Sequence, residues 1–320
     1  MLLLEREKSK SLIVADALLR RLETSDDDYP YFYEVSKRLH AGFEGEKMVD
    51  RHWFEMTNLE KHSLFFNYEL MNEFGFPHQI DTLLLTPKFL FILDIKHMSG
   101  RVDYEEEKNQ FIRTRQDGVI ESFSDPVAQV LRHGQYFERL FTNLQITLPI
   151  EYAIVFSNPS TIIGQVPKSV PFFHTSGLRF HVSKLLSKHS PVLTEKSLNK
   201  LSKLLLSSLK RKDTKPAISI DRIKKGVLCE ACNYQVQMIY KNRTWCCPKC
   251  GVQNKKAFYQ ALDDYRILIN DRIKNNEFRD FFEIDSMQIA SKILSRLGLV
   301  AVGDKKGRYY IIPENIASRI

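Results

Sequence analysis

The stretch QIDTLLLTPKFLFILDIKH, residues 79–97, predicts two apolar strands joined by a turn at Thr86-Pro87-Lys88. Three charged residues interrupt its apolar pattern: Asp81, Asp94 and Lys96. A charge buried in a sheet costs free energy unless it is paired or bound to a metal ion. These three side chains therefore indicate a functional site within the sheet.

Asp94 and Lys96 share one side of their strand, because side chains alternate between the two faces of a sheet. An antiparallel pairing across the turn brings Asp81 beside Asp94. Two close carboxylates repel each other and are most easily kept ionised by a hard cation such as Mg²⁺ or Mn²⁺. Such an ion polarises phosphoryl oxygens, and an ammonium group offsets charge that develops at phosphorus. For Asp-x-Lys alone, an ordinary salt bridge on an edge strand is the alternative interpretation.

Helical segments on both sides of the strand pair supply further polar groups. Upstream, HAGFEGEKMVDRHW offers Glu44 and Glu46 on a helix that precedes the sheet. Downstream, DPVAQVLRH offers Gln129 and Arg132 on a helix with proline in its first turn. Further acidic, amide and cationic side chains are thus predicted on the helices that flank the strand pair.

Together these motifs resemble the nuclease-related domain family (NERD), a branch of the PD-(D/E)xK phosphodiesterase superfamily. Their order and spacing agree over about residues 38–145. The resemblance implies a restriction-endonuclease-like α/β (α+β) core. The matching positions are Gly45-Glu46, Asp81, Asp94 with Lys96 in DIK, and Pro126 with Gln129.

The resemblance implies a role for each of the central residues. Asp81 and Asp94 would hold Mg²⁺ or Mn²⁺, with the backbone carbonyl of Ile95 as a third ligand. Lys96 would be the catalytic cation that positions the attacking water. Glu46 would be the outer acidic residue and act on the metal through water.

The same resemblance implies roles for two residues of the later helix, and the acidic residue must be chosen between Glu44 and Glu46. Gln129 would contact the scissile phosphate or a water, and Arg132, one turn later, could clamp phosphate. The proline of the superfamily motif is replaced by Ile80. Glu44 competes with Glu46 for the acidic role, but residues two apart cannot share a helix face. Glu46 is preferred.

All five cysteines fall between residues 229 and 250, and four of them give the spacing C-x2-C-x14-C-x2-C. Two such pairs are typical of a closed, tetrahedral Zn²⁺ site in a zinc ribbon. Cys246 is the spare thiol and could replace its neighbour as ligand, although C-P-x-C-G fits the zinc knuckle better. The predicted ligands are Cys229, Cys232, Cys247 and Cys250.

The ribbon also carries cations next to aromatic residues. Lys241 and Arg243 flank a predicted turn, and Tyr240 and Trp245 lie beside them. Cations interleaved with stacking aromatics suit nucleic-acid binding. A structural brace with no partner is an equal alternative.

Residues 255–320 predict three helices followed by a strand, turn, strand pattern, which is the layout of a winged helix-turn-helix. The segment GDKKGRYY would be the wing. Its basic residues Lys305, Lys306 and Arg308 would reach a phosphate backbone. Winged-helix folds also bind proteins, so a protein partner or a homo-oligomer is left open.

The remaining pattern completes the predicted domain organisation. Helices are expected over 5–23, 35–55 and 194–212, and LRFHVS at 178–183 predicts a strand. The segment NQFIRTRQDGVIESF predicts a hairpin with its turn at Asp117-Gly118. The predicted domains are an N-terminal helical segment (1–34), a nuclease-like domain (35–212), a linker (213–225), a zinc ribbon (226–254) and a winged-helix-like domain (255–320).

Charge and composition narrow the function. The net charge is +8, and residues 184–225 alone hold twelve Lys or Arg against three Asp or Glu, which favours an anionic partner. No run of 18 apolar residues and no secretory signal is recognised, so no membrane span is expected. Clustered cysteines favour a reducing cytoplasm.

We therefore predict a cytoplasmic, metal-dependent nuclease, with DNA as the expected substrate. The alternative is a non-catalytic or partner-gated nucleic-acid-binding protein on a nuclease scaffold.

Overall fold

A computed structural model describes residues 1–56, 59, 61–210, 218–304 and 307–319. Two compact units divide the chain: Met1–Lys8 with His40–Lys212, and Ser9–Leu39 with Asp213–Ile320. Both units combine helices with β-sheets, so the expected mixed α/β fold is confirmed. Of the described helices, none is both long and apolar enough to cross a membrane.

Eight α-helices lie within the described residues. They are α1 (Lys10–Arg21), α2 (Tyr29–Phe54), α3 (Pro126–Asn143), α4 (Leu178–Lys188), α5 (Glu195–Ser207), α6 (Ala257–Leu268), α7 (Asn275–Phe282) and α8 (Met287–Arg296).

The β-strands of the first unit belong to two sheets. They are β1 (Leu2–Leu4), β2 (Ser63–Met71), β3 (Pro77–Leu85), β4 (Leu90–Lys96), β5 (Gly100–Glu105), β6 (Gln110–Thr114), β7 (Ile120–Phe123), β8 (Ile150–Phe156), β9 (Thr161–Ile163) and β10 (Phe172–His174). The larger sheet has the order β1-β2-β3-β4-β8-β10, and the smaller has the order β7-β6-β5-β9.

The six-stranded sheet is the middle layer of three. On β4, Leu90 and Ile92 pack in one core, together with apolar residues of α3 and α5. Phe91 and Leu93 pack in the other core, with residues of α2 and α4. Because both faces are covered, a charged side chain on β4 can reach water only near the end of the strand.

The predicted pair of strands is confirmed as β3 and β4. They are antiparallel, with Leu85 opposite Leu90 and Thr82 opposite Leu93. Thr86 closes the turn, because its hydroxyl accepts a hydrogen bond from the Phe89 N–H at 3.0 Å. β4 also pairs with β8 in parallel, which places it in the interior of the sheet.

Two other local predictions are confirmed. β6 and β7 form the expected hairpin, and Gly118 in its turn has φ of +82°, a conformation that glycine adopts without strain. Asp125 caps α3, since its Oδ1 accepts a hydrogen bond from the Val127 N–H at 2.8 Å. Pro126 then occupies the first turn of the helix.

The strand predicted at 178–183 is wrong, because this segment begins α4. Leu178, Val182 and Leu185 are buried, which is the spacing of one helix face. Phe180, which strand alternation would have buried, is 77% exposed. Six residues were too few to separate the two periodicities.

The helix predicted over 5–23 is wrong at its start. Residues Leu2–Leu4, just before the predicted start, form β1 and pair in parallel with β2. The helix begins only at Lys10, after Ser9 caps it by accepting a hydrogen bond from the Leu12 N–H at 3.2 Å. Arg6 therefore lies in a non-helical segment of the first unit.

In the second unit, α1 and α6 are joined by a buried ion pair. Arg21 Nε lies 2.8 Å from Asp264 Oδ2, and neither side chain is more than 2% exposed. The strands are β11 (Ile239–Lys241), β12 (Thr244–Cys246), β13 (Gln253–Asn254), β14 (Arg272–Lys274), β15 (Val300–Val302) and β16 (Tyr309–Ile311). They form the sheets β11-β12-β13 and β14-β16-β15.

The finer domain boundaries stay predictions. Positions 213–217 of the predicted linker lie outside the described residues.

Candidate active site and cysteine cluster

Asp94 and Lys96 meet at the end of β4. Lys96 Nζ donates a hydrogen bond to Asp94 Oδ1 at 3.1 Å and lies 2.9 Å from Oδ2. The Asp94 side chain is 5% exposed, whereas that of Lys96 is 22% exposed. Oδ2 is outside hydrogen-bonding geometry to Nζ and has no hydrogen-bond partner among the described residues. Apart from its ion pair with Lys96, this oxygen of the buried carboxylate therefore keeps lone pairs for a ligand.

Asp81 lies on β3 beside this pair. Its Oδ2 accepts a hydrogen bond from the Ile95 N–H at 2.7 Å. This contact places the Asp81 carboxylate between the two residues that flank Ile95 on β4. The predicted use of the Ile95 carbonyl as a metal ligand stays a prediction.

Gly45 brings α2 close enough to deliver Glu46 to the strand end. A Cβ atom at position 45 would lie 2.5 Å from the His97 Cβ, too close for any real side chain. Glu46 follows directly on the helix and is 21% exposed. Glu44 instead forms an exposed ion pair with Lys47 at 3.0 Å, so Glu46 is the one directed to the site.

Two residues of the cluster were missed by the sequence reasoning. Arg6 donates hydrogen bonds to Asp50 from Nε at 2.6 Å and from Nη2 at 2.9 Å. It also forms an ion pair with Glu46 and donates to the Asp81 carbonyl oxygen at 2.7 Å. Asp50 could have been found, because it follows Glu46 by one helical turn. No sequence pattern marked Arg6 as a site residue, because residues 5–23 were expected to form a helix.

Electrostatics in this cluster favour a bound cation. Burial, together with the carboxylates of Glu46 and Asp94, raises the pKa of Asp81 well above its usual range. For Lys96, burial lowers the pKa, but Asp94 and Asp81 outweigh it and raise the pKa overall. Lys96 is thus a permanent cation rather than a base. A divalent ion would relieve the repulsion among the carboxylates.

The donor set fits a hard divalent cation at Asp81 and Asp94. Both contribute carboxylate oxygens, which Mg²⁺ and Mn²⁺ prefer, and Asp94 Oδ2 is buried without a hydrogen-bond partner in the described structure. The carboxylate oxygens of Glu46, Asp81 and Asp94 do not all lie within 4.8 Å of one another, the spacing expected for ligands of one ion. In the part of the chain that the structure describes, only the four cysteines bring three or more His, Cys, Asp or Glu ligand atoms within 4.8 Å of one another.

The two predicted residues of α3 are not hydrogen-bonded to this centre in the described structure. Gln129 is half-buried and Arg132 is exposed. No hydrogen bond or ion pair within the described structure joins either side chain to Asp81, Asp94 or Lys96. Their predicted contacts with phosphate stay predictions.

A buried histidine pair on β3 and α3 was also missed. His78 Nδ1 and His133 Nδ1 are 2.8 Å apart, and each residue is 2% exposed. Burial, His78 and the nearby cations Arg132 and Lys96 lower the pKa of His133 to about 3. His133 is therefore neutral near pH 7.

The second unit brings the four predicted cysteine ligands together. Cys229 Sγ lies 3.6 Å from Cys250 Sγ, and Cys232 Sγ lies 3.8 Å from Cys247 Sγ. Four thiolates placed about 2.3 Å from a tetrahedral Zn²⁺ would be about 3.8 Å apart. All four sulfurs lie within 4.8 Å of one another, so the donor set fits zinc.

The hairpin of this module forms as predicted. Lys241 pairs with Thr244, and the turn residues Asn242 and Arg243 both have positive φ, at 52° and 62°. Lys241 and Arg243 are exposed. Trp245 is 4% exposed and packs in the core of the unit, so it is not free to stack on a base.

A basic groove of about 970 Å³ lies between α7, α8 and the β14-β16-β15 sheet. Its described lining includes no carboxylate. Lys305 and Lys306 of the predicted wing lie outside the described residues, but Arg308 lines the groove. The cations that line it are Lys274, Arg279, Lys292 and Arg308.

The first unit is a mixed α/β unit that carries Asp81 on β3 beside Asp94 and Lys96 at the end of β4, as a nuclease-like domain would. Residues 41–157 match the family model of the nuclease-related domain. This part of the chain is therefore a nuclease-related domain, as the sequence resemblance implied. Comparison with curated proteins and with solved structures gives no match.

Proposed function

We propose that the protein is a metal-dependent nuclease that hydrolyses phosphodiester bonds of DNA. One observation carries the proposal: Asp81, Asp94 and Lys96 meet at one end of the central sheet, joined by the 2.7 Å bond from the Ile95 N–H and by the 2.9 Å ion pair. Nothing in the packing of the fold requires a buried carboxylate pair there. A metal-dependent phosphodiesterase uses such carboxylates to hold its ion.

Each residue has a role that its surroundings support. Asp81 and Asp94 would hold Mg²⁺ or Mn²⁺, which when bound polarises the phosphate and lowers the pKa of the attacking water. Lys96, held as a cation, would orient that water and offset charge on the phosphate oxygens. Water adds to phosphorus, the bond to the leaving oxygen breaks, and the proton of the water passes to the leaving oxygen.

The direct test is cleavage by the purified full-length chain. We expect cut products from DNA with Mg²⁺ or Mn²⁺ and none with a chelator, because the carboxylates cannot act without the ion. Single- and double-stranded DNA and RNA of one sequence should be compared, followed by gel electrophoresis. If no substrate is cut with either ion, the protein is not a nuclease acting alone.

The competing function is nucleic-acid binding without cleavage, on a nuclease scaffold. The observation that favours it is the binding of Glu46 by Arg6, which keeps this acid from sharing an ion with the others. Binding of DNA that stays intact in the presence of Mn²⁺ would support it. A gating partner would restore cleavage when added.

For the second unit we propose a zinc ribbon followed by a winged-helix-like module that binds DNA. The thiolate spacing supports the ribbon, and the basic groove supports the DNA contact. Helix α8 and the β15–β16 hairpin line up in the order expected of a recognition helix and a wing. The four cations of the groove line one concavity.

We expect the double variant Lys292→Ala/Arg308→Ala to weaken DNA binding. Each lost phosphate contact should lower the slope of log Kd against log salt by about 0.9, so the double variant should lower it by about 2. Fluorescence anisotropy with a labelled duplex at several salt concentrations measures this. Lys225→Ala, which removes an exposed lysine paired with Asp280, is the matched control. Equal slopes in all three proteins would argue against the groove.

A further inference from the structure

Arg6 lies inside the acidic cluster although nothing in its local sequence marks it as a site residue. Its side chain is only 3% exposed. The guanidinium donates to both carboxylate oxygens of Asp50, to Glu46 and to the Asp81 carbonyl oxygen. This fork geometry is fixed by several partners at once, as in the tightest arginine–carboxylate pairs.

The backbone around Arg6 holds it in this place. β1 pairs in parallel with β2, with Leu2 opposite Leu64 and Leu4 opposite Phe65. The guanidinium also lies over the Phe66 ring, 5.4 Å from its centre. Arg6 is thus delivered to the cluster by a strand at the sheet edge.

The formal charges suggest what Arg6 does. The cluster contains the carboxylates of Glu46, Asp50, Asp81 and Asp94 and the cations Arg6 and Lys96. Its net charge is therefore −2, which one divalent ion balances. Without Arg6 the charge would be −3, and Glu46 and Asp50 would lose the ion-pair partner that they share in the described structure.

The acids divide into two groups in the structure. Arg6 binds the helical pair, Glu46 and Asp50, whereas the carboxylates of the strand pair, Asp81 and Asp94, contact the Ile95 N–H and Lys96 instead. Asp94 Oδ2, in a residue 4% exposed, has the Lys96 ammonium as its ion-pair partner and accepts no hydrogen bond from the described residues. An ion can therefore enter at the strand pair while the helical pair is already neutralised.

We infer that Arg6 is a built-in substitute for a second metal ion and limits the site to one. The inference rests on the proposed function, because it takes Asp81 and Asp94 to be the ligands of the first ion. It makes Arg6 a positioning residue that binds Glu46 and Asp50 rather than the phosphate.

Calorimetric titration of the full chain with Mn²⁺, an ion that prefers oxygen ligands, tests this. We expect one ion per chain in the wild type and two in Arg6→Ala. Arg6→Ala/Asp50→Asn restores the net charge of −2 and should bind one. Arg113→Ala removes an arginine that binds Glu121 elsewhere in the unit, and it should also bind one.

The outcomes separate this inference from the proposed function. One ion in both the wild type and Arg6→Ala would overturn the role of Arg6 and leave the nuclease site intact. No ion in either protein would overturn both. An ion that binds only when Arg6 is removed, or two ions in the wild type, would also overturn the inference.

A second measurement decides the matter if Arg6→Ala does not fold. Because Arg6 already holds Glu46, Glu46→Gln should leave the Mn²⁺ dissociation constant within about tenfold of the wild type, whereas Asp94→Asn should raise it by about a hundredfold or more. Equal losses in the two variants would show that Glu46 is a full ligand and that Arg6 does not keep it from the ion.

Discussion

Asp94→Asn is expected to reduce DNA cleavage by about a thousandfold or more, because it removes both a ligand of the ion and the partner of Lys96. Lys96→Met should reduce cleavage by a similar factor while leaving DNA binding almost unchanged. Initial rates from a labelled duplex, measured at saturating Mg²⁺, give both values. Anisotropy with the same duplex and Ca²⁺ in place of Mg²⁺ gives the binding.

A matched control exists in the same unit. Arg101 and Asp103 form the same i, i+2 ion pair on β5, with Arg101 Nε 2.9 Å from Asp103 Oδ2, but away from the cluster. Arg101→Met and Asp103→Asn should therefore cut DNA at nearly the wild-type rate. Cleavage that survives in Asp94→Asn and Lys96→Met would contradict the proposed site, and equal losses in the β5 variants would point to damage of the fold.

The second large effect is expected at the cysteine cluster. Cys247→Ser should lose stoichiometric zinc and unfold the ribbon, because structural zinc sites contribute about 10 kcal/mol or more of apparent binding free energy. Zinc content by mass spectrometry and thermal unfolding by circular dichroism measure both consequences. The wild type should contain one zinc per chain and lose stability with a strong chelator.

Cys246→Ser is the adjacent control, because Cys246 is the one cysteine outside the group of four sulfurs. It should keep its zinc and its melting temperature. If Cys246→Ser loses zinc and Cys247→Ser does not, the ligand assignment at this knuckle is reversed. A zinc-free, chelator-resistant chain would contradict the ribbon altogether.

Short-range chemistry made much of the fold predictable. The turn at Thr86, the Asp-Gly hairpin, the cap at Asp125 and the cysteine spacing are each decided by residues close in sequence. The pairing of β3 with β4 followed from the turn, so the proximity of Asp81 to Asp94 could be anticipated. The match to the nuclease-related domain confirms the resemblance built on these motifs.

Long-range packing accounts for most of what was missed. Whether residues 178–183 form a helix depends on a core that Val182 and Leu185 enter from elsewhere in the chain. Arg6 reaches Glu46 across 40 positions of sequence, and His78 reaches His133 across 55. No local sequence pattern predicts contacts between residues so far apart in the chain. A single arginine in a charged segment is not distinguished from other arginines by its neighbours.

The packing of Gly45 against His97 has a consequence for how this site can fail. The close approach of α2 to the strand end requires the absence of a side chain at position 45. The position of the acid relative to the lysine therefore depends on backbone sterics as well as on Arg6. An uncharged substitution of Gly45 can therefore inactivate the site while every ionisable residue remains in the sequence.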